Sequence, residues 1–430
     1  MHIKNFDPYD FSKKVVEGVP VYYKNLPWAP CINVFVVMHT GSFSDPVGKE
    51  GLSHFLEHMV FTGSSKFKDQ KAVDEWAKKY TMHSLNAWTS FYETGYHCKC
   101  LPENYSEVLR GLEDIVFKPL LREKDLEHER GIITQEAWRR FKNEKYLAYT
   151  KEVGEIMIPG HSYARVSAPL GWPETVAKIT QGDVKQWHSE RYLKSNMTIV
   201  LTGAVEEKHV QELKAFLKDI PDGVVQKYEK SEIREPLMQT FIRTSDEIGD
   251  PQEQVEISII RTLPFLPPHR VELAKLFRYF LADILFERLR TEKGLCYGVS
   301  TSSSLYFDFS MMFMNIKTDE KNIEIVQKEF WKVLKEIAAG KFKAKFSTLK
   351  KVMYENKKSR ELLSEHIAGD AIRDLIRYGE IIPLFSELKD IEKVTYASIV
   401  KFSKEVFDPK HTFTEIILPV EKEKLQSGGK

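Results

Sequence analysis

The chain has 430 residues, of which 42% are hydrophobic and 12% aromatic, enough to form the cores of two or three domains. Its 63 Lys and Arg residues balance 62 Asp and Glu residues, which leaves a net charge of +1. This balance argues against nucleic acid or an anionic membrane surface as the main partner.

The cysteines are too few to form a disulfide framework, which favours a reducing compartment. The N-terminus lacks the charged-then-apolar pattern of a signal peptide. No apolar run reaches the ~18 residues that a membrane-spanning helix needs. We therefore expect a cytoplasmic protein with no membrane partner. Cys98 and Cys100 alternate along a strand-like stretch, and we interpret them as buried thiols on one face rather than metal ligands.

Strand-like and helix-like stretches occur in both halves of the chain. The strands are predicted at 19–23, 32–39, 84–89, 94–100, 198–203, 239–244 and 255–262. Apolar residues at three- and four-residue spacing predict helices at 53–62, 71–79, 105–117, 123–142, 181–192 and 205–217. The strands fall in hairpin-like neighbours rather than in strict strand–helix–strand order, which indicates an α+β fold.

A domain boundary is predicted where a polar, proline-bounded stretch separates two blocks of similar size. This linker spans 221–236, so the N-terminal domain would cover 1–220 and the C-terminal domain 237–430. Ala-Lys-Ile-Thr at 177–180 recurs as Glu-Lys-Val-Thr at 392–395, and each leads through a helix, an aromatic residue and a polar turn to a strand. An offset of 215 residues suggests a duplicated α+β domain, with chance similarity of one helix–strand unit as the alternative.

The pattern His-Phe-Leu-Glu-His at 54–58 is the strongest chemical signal in the chain. On a helix, His54 and His58 are about 400° apart in rotation, so both imidazoles project from one face as two nitrogen ligands of one zinc ion could. Glu57 lies beside them, where a carboxylate can take the proton of an attacking water and pass it to the leaving amine. His-x-x-Glu-His is the inverzincin motif.

The surroundings of the motif favour a partly buried helix over two histidines on a free surface, the alternative interpretation. Glycines at 41 and 51 punctuate the chain before the helix, and we expect Ser53 to cap it. The neighbouring residues are largely apolar.

A third protein ligand is expected from the acidic helix at 123–142. Glu129 and Glu136 are seven residues apart and share one face, so one could bind zinc while the other orients a ligand histidine. Spacing alone leaves open which does which. Without the upstream motif, two solvated carboxylates would be the better interpretation.

The chain resembles the pitrilysin-type inverzincin zinc peptidases, which include insulysin, the mitochondrial processing peptidase and shorter prokaryotic relatives. The resemblance begins with the segment from Gly51 to Gly63 and covers essentially the whole chain. It continues in Asn86, Ala87, Thr89, Tyr96, Glu129, Arg130, Glu136, His161, Gly171 and the stretch 289–297.

The resemblance implies one Zn²⁺ per chain with Glu136 as the third ligand beside the two histidines. It implies that Glu129 orients a ligand histidine and that Glu57 activates the water. Asn86 and Ala87 would lie on an edge strand that pairs with an extended peptide substrate, through backbone bonds that tolerate many sequences.

Arg290 and Tyr297 match the substrate-binding pair of the family, and by the same resemblance they belong to the catalytic set. Their donors could stabilise an oxyanion or hold a peptide carbonyl. Without the family pattern, a surface ion pair of Arg290 with Glu287 or Glu292 and a half-buried strand position for Tyr297 would be preferred.

One departure concerns the turn before the edge strand. Many relatives have a glycine pair there, whereas this chain has Tyr-Thr-Met-His at 80–83. A different turn could change how the edge strand is presented to a peptide. His83 could approach the site, although a loop histidine without a metal role is the better interpretation.

Long relatives carry four such domains as two halves around a chamber, and this chain has the length of one half. The resemblance therefore implies two homologous α/β-sandwich domains, each a mostly antiparallel sheet packed with helices, that form half of a clamshell. We expect a homodimeric endopeptidase that cleaves short or unfolded peptides in a closed chamber. The alternatives are a heterodimer with a related subunit and a non-catalytic subunit of a peptidase-like pair.

Overall fold

The computed structural model describes residues 6–166, 168–229, 233, 239–359 and 363–420. The strands are β1 (Ser12–Val16), β2 (Val19–Asn25), β3 (Ile32–Met38), β4 (Asn86–Thr89), β5 (Thr94–Cys100), β6 (Met197–Gly203), β7 (Gln239–Thr244), β8 (Val255–Pro264), β9 (Cys296–Leu305), β10 (Phe309–Thr318) and β11 (Phe413–Leu418).

The α-helices occur mostly in consecutive runs between groups of strands. They are α1 (Leu52–Met59), α2 (Gln70–Tyr80), α3 (Tyr105–Phe117), α4 (Glu123–Phe141), α5 (Glu144–Met157), α6 (Ser162–Arg165), α7 (Pro173–Val176), α8 (Gln181–Arg191), α9 (Glu207–Leu217), α10 (Pro268–Leu285), α11 (Ile323–Ala338), α12 (Lys343–Ser359), α13 (Ser364–Tyr378), α14 (Leu384–Lys393) and α15 (Tyr396–Val406). A π-helix at Phe286–Glu292 continues α10.

Two compact units divide the chain into non-contiguous segments. Unit 1 contains Met1–Arg140, Val166–Glu229 and Leu362–Pro383. Unit 2 contains Phe141–Arg165, Lys230–Glu361 and Leu384–Lys430.

The sheet of unit 1 has, in its described part, the strand order β1-β2-β6-β3-β5-β4. β2 and β6 are parallel and the other neighbours antiparallel. β3 and β6 lie at the centre and every residue of both is buried, because helices cover both faces of the sheet. β4 is an edge strand.

Alternate side chains of β3 enter two different cores, as the two-residue period of a strand requires. Val34 and Val36 belong to the main core, which also contains Phe55 of α1. Phe35 and Val37 pack on the opposite face, in the cluster that contains Ile372 of α13.

The described part of unit 2 repeats the topology of unit 1. Its strand order is β7-β11-β8-β10-β9, which matches the five strands β2-β6-β3-β5-β4 of unit 1. In each set of five strands, the first pair is parallel and the rest are antiparallel. Thr180 and Thr395, 215 residues apart, cap the equivalent helices α8 and α15 with the same side-chain bond to the third residue. The predicted α+β fold with a duplicated sandwich is confirmed.

The units do not follow the linear division into 1–220 and 237–430. α13 belongs to unit 1 because Ala368 and Ile372 pack on its sheet, and α5 belongs to unit 2 because Val153 and Met157 pack against its Phe413. The order of segments along the chain does not predict which unit α5 and α13 join, because that depends on the side chains that they contact in the folded protein. Within the predicted linker, residues 230–232 and 234–236 lie outside the described residues.

Two expectations from composition can be examined in the described part. The thiols of Cys98 and Cys100 are buried and free, as expected, and so are those of Cys31 and Cys296. Within the described ranges, every helix is too short or too polar to cross a lipid bilayer.

Candidate metal centre

The start of helix α1 is stabilised by hydrogen bonds to the carboxylate of Asp45, a residue that the sequence analysis did not identify. Asp45 accepts bonds from the backbone N–H groups of Gly51 (2.8 Å) and Ser53 (3.0 Å), which satisfies donors that a helix start leaves free. The hydroxyl of Ser53 also donates to Asp45, at 2.6 Å. The prediction that Ser53 caps the helix was wrong: the N-cap position is Gly51, and Ser53 lies inside the first turn.

Two glycines at the start of α1 allow the chain to pass very close to itself. Gly51 has φ +98° and Gly171 has φ +75°, the left-handed region that favours glycine. A Cβ at Gly171 would lie 2.1 Å from the carbonyl oxygen of Glu50, and one at Gly51 would lie 2.6 Å from that of Leu170. This approach fixes where the motif helix begins.

His54, His58 and Glu136, the ligand set that the resemblance implies, lie close together. Nε2 of His58 lies 3.7 Å from Oε2 of Glu136, and Nε2 of His54 lies 3.9 Å from the same oxygen. One ligand atom from each residue lies within 4.8 Å of the others. Each residue is partly buried, so the group lies at a protected surface rather than in the core.

These separations fit a metal ion better than direct hydrogen bonds. They exceed the 2.7–3.2 Å of a nitrogen–oxygen hydrogen bond by about half an ångström. Two ligands about 2.1 Å from one tetrahedral zinc lie roughly 3.4 Å apart, which is close to what the group shows. The donor set of two imidazoles and one carboxylate is also a typical catalytic zinc set with an open fourth position.

Glu129 orients His58. Its buried carboxylate accepts a hydrogen bond from Nδ1 of His58 at 3.0 Å, so that Nε2 keeps its lone pair for a metal. Burial alone would lower the pKa of His58, but this hydrogen bond and the nearby carboxylates raise it above its usual value. For His54, burial and the charge of His58 lower the pKa to about 3, so the imidazole is neutral, as a ligand must be.

Glu57 lies beside the group and is held by β4. The hydroxyl of Thr89 donates to Oε2 of Glu57 at 2.6 Å, while Thr94 donates to the backbone carbonyl of Thr40 and lies 3.3 Å from the Thr89 hydroxyl. Burial raises the pKa of Glu57, and the bond from Thr89 and the charge of His58 only partly offset that increase. A raised carboxyl pKa suits a group that must both take and return a proton.

Asn86 and Ala87 lie on β4, whose only neighbour among the described strands is β5. Asn86 is exposed, and its side-chain oxygen accepts a hydrogen bond from the backbone N–H of Ala87 at 2.9 Å. The strand that would receive a peptide is therefore the strand that holds Glu57 through Thr89.

The turn before β4 keeps a glycine-like conformation without glycine. Met82 has φ +53° and His83 has φ +59°, so both occupy the left-handed region. His83 is exposed and is not part of the candidate metal group found among the described residues. The expectation that His83 is a loop residue agrees with this placement.

Arg290 and Tyr297 both belong to unit 2. Arg290 lies in the π-helix, two residues before its end, and donates to the backbone carbonyl of Cys296 at 3.1 Å. The hydroxyl of Tyr297 donates to Asp319 at 2.9 Å, and 49% of the residue is exposed. Glu292 pairs with Arg288 and Glu287 with Lys345, so the surface ion pairs considered for Arg290 belong to other cations.

Comparison with protein families gives two adjoining matches. A model described as Insulinase (Peptidase family M16) matches residues 21–165, which contain the metal group. A model described as Peptidase M16 inactive domain matches residues 178–351.

Curated relatives match over most of the chain. An "Uncharacterized zinc protease" of Rickettsia bellii is 22% identical over 93% of this chain and 95% of its own length. The mitochondrial-processing peptidase subunit beta of Saccharomyces cerevisiae is 25% identical over 91% of this chain and 87% of its own.

Solved structures share the fold. The first half of the periplasmic protease PqqL from Escherichia coli has a TM-score of 0.78 at 17% identity, over 96% of this chain and 92% of that one. This chain spans 50% of the complete PqqL chain. A protease from Helicobacter pylori has a TM-score of 0.79 at 20% identity, over 96% of this chain and 100% of its own. From the two family matches and the shared fold, we conclude that the chain belongs to the M16 (insulinase) family of peptidases.

Proposed function

We propose that this chain is a zinc-dependent endopeptidase of short or unfolded peptides. The observation that carries the proposal is the hydrogen bond by which Thr89 holds Glu57 beside the group of His54, His58 and Glu136. A general base, a candidate metal group and an open sheet edge therefore meet at one place.

The residues of this chain would divide the reaction between them. Glu57 would take the proton of the attacking water and then deliver it to the leaving nitrogen. Zinc held by the two histidines and Glu136 would polarise the scissile carbonyl and lower the pKa of the attacking water. Glu129 would keep His58 in the tautomer and orientation that a ligand needs.

Substrate would bind by adding a strand to β4 next to Asn86 and Ala87. Backbone hydrogen bonds supply affinity in this mode and need an extended chain, so a folded protein is a poor substrate. This supports peptides and unfolded segments as the substrate class.

Arg290 and Tyr297 would complete the site from a facing subunit of a homodimer. Each carries a donor at an exposed position in unit 2, where a peptide carbonyl could be bound. A closed dimer would then enclose two composite sites, and we place it in the cytoplasm.

A second candidate is a subunit that needs a different partner chain. The yeast relative is named as a beta subunit, which is the observation that favours this alternative. A heterodimeric subunit would show weak activity alone, and a non-catalytic subunit would show none.

The proposal is tested with the purified chain alone, by metal analysis and by turnover of a quenched peptide library. We expect about one zinc per chain and cleavage that a chelator abolishes and zinc restores. A metal-free chain that cleaves no peptide under zinc excess would contradict the proposal.

The composite site has its own test, in which a Glu57→Gln chain is mixed with an Arg290→Ala chain. If sites are shared between subunits, the mixture recovers up to about a quarter of wild-type activity, because some dimers carry one intact site. An active monomer, or no recovery after subunit exchange, would contradict the shared site.

A further inference from the structure

A cavity of about 400 Å³ lies in unit 1 between the sheet and helix α13. It is on the face of the sheet opposite to the metal group. Because side chains alternate along a strand, Thr89 points towards Glu57 while Trp88 points towards α13 and lines the cavity. The cavity is therefore separate from the proposed zinc site, although both contact β4.

Three aromatic rings form the sheet side of this cavity. His97 stacks on Phe35 with ring centroids 5.1 Å apart, and Trp88 lies 5.8 Å from His97 and 6.2 Å from Phe35. Trp88 can lie flat across β5 because its neighbour there is Gly95, where a Cβ would come within 2.1 Å of the indole. Burial lowers the pKa of His97, which favours the neutral form of its ring.

Glu93 adds a carboxylate whose charge no cation balances within the described residues. It accepts hydrogen bonds from Nε1 of Trp88, at 3.3 Å, and from the side chain of Ser90. Burial raises its pKa, as expected for a carboxylate without a counter-charge. A carboxylate that is partly removed from water and lacks a counter-charge favours an incoming cation.

The other charged residues around the cavity already have partners. Glu365 lies 3.6 Å from the ammonium of Lys99. Arg373 is paired with Asp370, its neighbour on the same helix. Glu93 is therefore the charge that an occupant of the cavity would neutralise.

Gly369 keeps the helix side of the cavity open. It lies in the interior of α13, where glycine is less favourable than alanine, and a Cβ there would meet nothing within 4 Å. Close packing therefore does not explain the glycine. Its effect is to leave space that a larger side chain would fill.

We propose that this cavity binds an organic ammonium cation, which places its charge near Glu93 and its apolar part against Trp88, Phe35 and His97. Aromatic faces together with a carboxylate are the chemistry that recognises such cations. The volume is at the lower end of ligand pockets and suits a small amine.

Binding would act on β4, because Trp88 is a wall of the cavity and the next residue, Thr89, holds Glu57. This coupling rests on the proposed peptidase function, whereas the binding itself does not. An occupied cavity would fix the edge strand in one position and lower the KM for an extended peptide.

The test compares isoamylammonium with isoamyl alcohol, which has nearly the same shape and no charge. Binding is followed by tryptophan fluorescence of the full chain without peptide, with Trp88→Phe as the variant that assigns the signal. For a cation with six non-hydrogen atoms we expect saturation with a Kd on the order of 1 mM. The alcohol should bind at least ten-fold more weakly.

Two variants test separately the negative charge of Glu93 and the empty volume next to Gly369. Glu93→Gln keeps the side-chain shape and should weaken isoamylammonium by about ten-fold or more, while Glu190→Gln on the exposed face of α8 should not. Gly369→Leu should fill the cavity and abolish saturable binding without lowering the thermal unfolding temperature, because leucine favours the helix.

The proposal is overturned if wild type shows no saturable response to 20 mM isoamylammonium, if the alcohol binds equally well, or if Glu93→Gln leaves the Kd unchanged.

The coupling between the cavity and the proposed peptidase site is tested separately, by measuring the KM for a quenched peptide with and without the amine. A KM that shifts in wild type but not in Gly369→Leu supports it, and an unchanged wild-type KM rules it out. An inactive chain that still binds the cation would contradict the proposed function and not the cavity.

Discussion

Thr89 of the edge strand donates a 2.6 Å hydrogen bond to Glu57 of the motif helix. The bond joins the strand proposed to bind peptide to the carboxylate proposed to move protons. It also gives Thr89 a positioning role that the spacing of the motif alone does not reveal.

Replacing Thr89 with valine should remove this bond with little change in shape. A hydrogen bond to a charged group contributes about 1.5–3 kcal/mol, so kcat/KM for a quenched peptide should fall by about 10- to 100-fold. Thr89→Ser, which keeps the hydroxyl, should lose much less. Equal activity of the valine variant and wild type would show that the bond does not serve catalysis.

Glu129→Gln should weaken zinc binding, because the neutral amide no longer holds the Nδ1 proton of His58 as a carboxylate does. Such an outer partner of a ligand histidine typically contributes 10- to 100-fold in metal affinity. The measurement is zinc affinity by competition with a chelator. Glu127→Gln, on the exposed side of the same helix, is the matched control and should keep wild-type affinity.

Gly171→Ala should strongly destabilise unit 1, because the new Cβ would lie 2.1 Å from the backbone oxygen of Glu50 in addition to the unfavourable φ of +75°. We expect a loss of roughly 3 kcal/mol or more in the free energy of unfolding. Gly48→Ala has a similar φ of +81° but open space, and should cost only about 1–2 kcal/mol. Equal losses in thermal or urea unfolding would show that the close approach is unimportant.

The turn before β4 should tolerate replacement of Met82 or His83 with glycine. A left-handed backbone conformation destabilises the folded state by roughly 1–2 kcal/mol for an ordinary residue, and glycine removes this strain. Glycine also gives the unfolded chain more conformational freedom, which lowers the stability of the folded state by about 0.5–1 kcal/mol and offsets part of the gain. Met82→Gly or His83→Gly should therefore leave stability unchanged or raise it by up to about 1 kcal/mol. A clear loss of stability in both variants would mean that these side chains make contacts that outweigh the strain.

Local patterns in the sequence predicted much of the fold. The helix at 105–117 and the strands at 94–100 and 239–244 have the bounds that periodicity indicated, and most other predicted elements differ by one or two residues at their ends. The motif helix, predicted to extend to residue 62, ends at Met59 and is followed by a 3₁₀ turn at Val60–Thr62. Motif spacing likewise placed the two histidines on one face of a helix, because the period of a helix fixes which residues share a face. Spacing left open whether Glu129 or Glu136 is the third ligand, and Glu136 was expected only from the family resemblance.

What the sequence did not predict depends on contacts between distant segments. The start of α1 is capped by Asp45 rather than Ser53, since the capping carboxylate arrives from a preceding loop. The membership of α13 in unit 1 depends on apolar packing against strands more than 150 residues earlier. The assignment of one composite site to two subunits stays a prediction.

The central claim is most directly tested by Glu57→Gln in the zinc-loaded chain. The amide keeps the shape of the side chain and can still accept a bond from Thr89, but it cannot take a proton from water. We predict about one zinc per chain, as in wild type, and a kcat for a quenched peptide lower by about 100-fold or more. A Glu57→Gln chain that keeps its zinc and cleaves peptide at the wild-type rate would contradict the account.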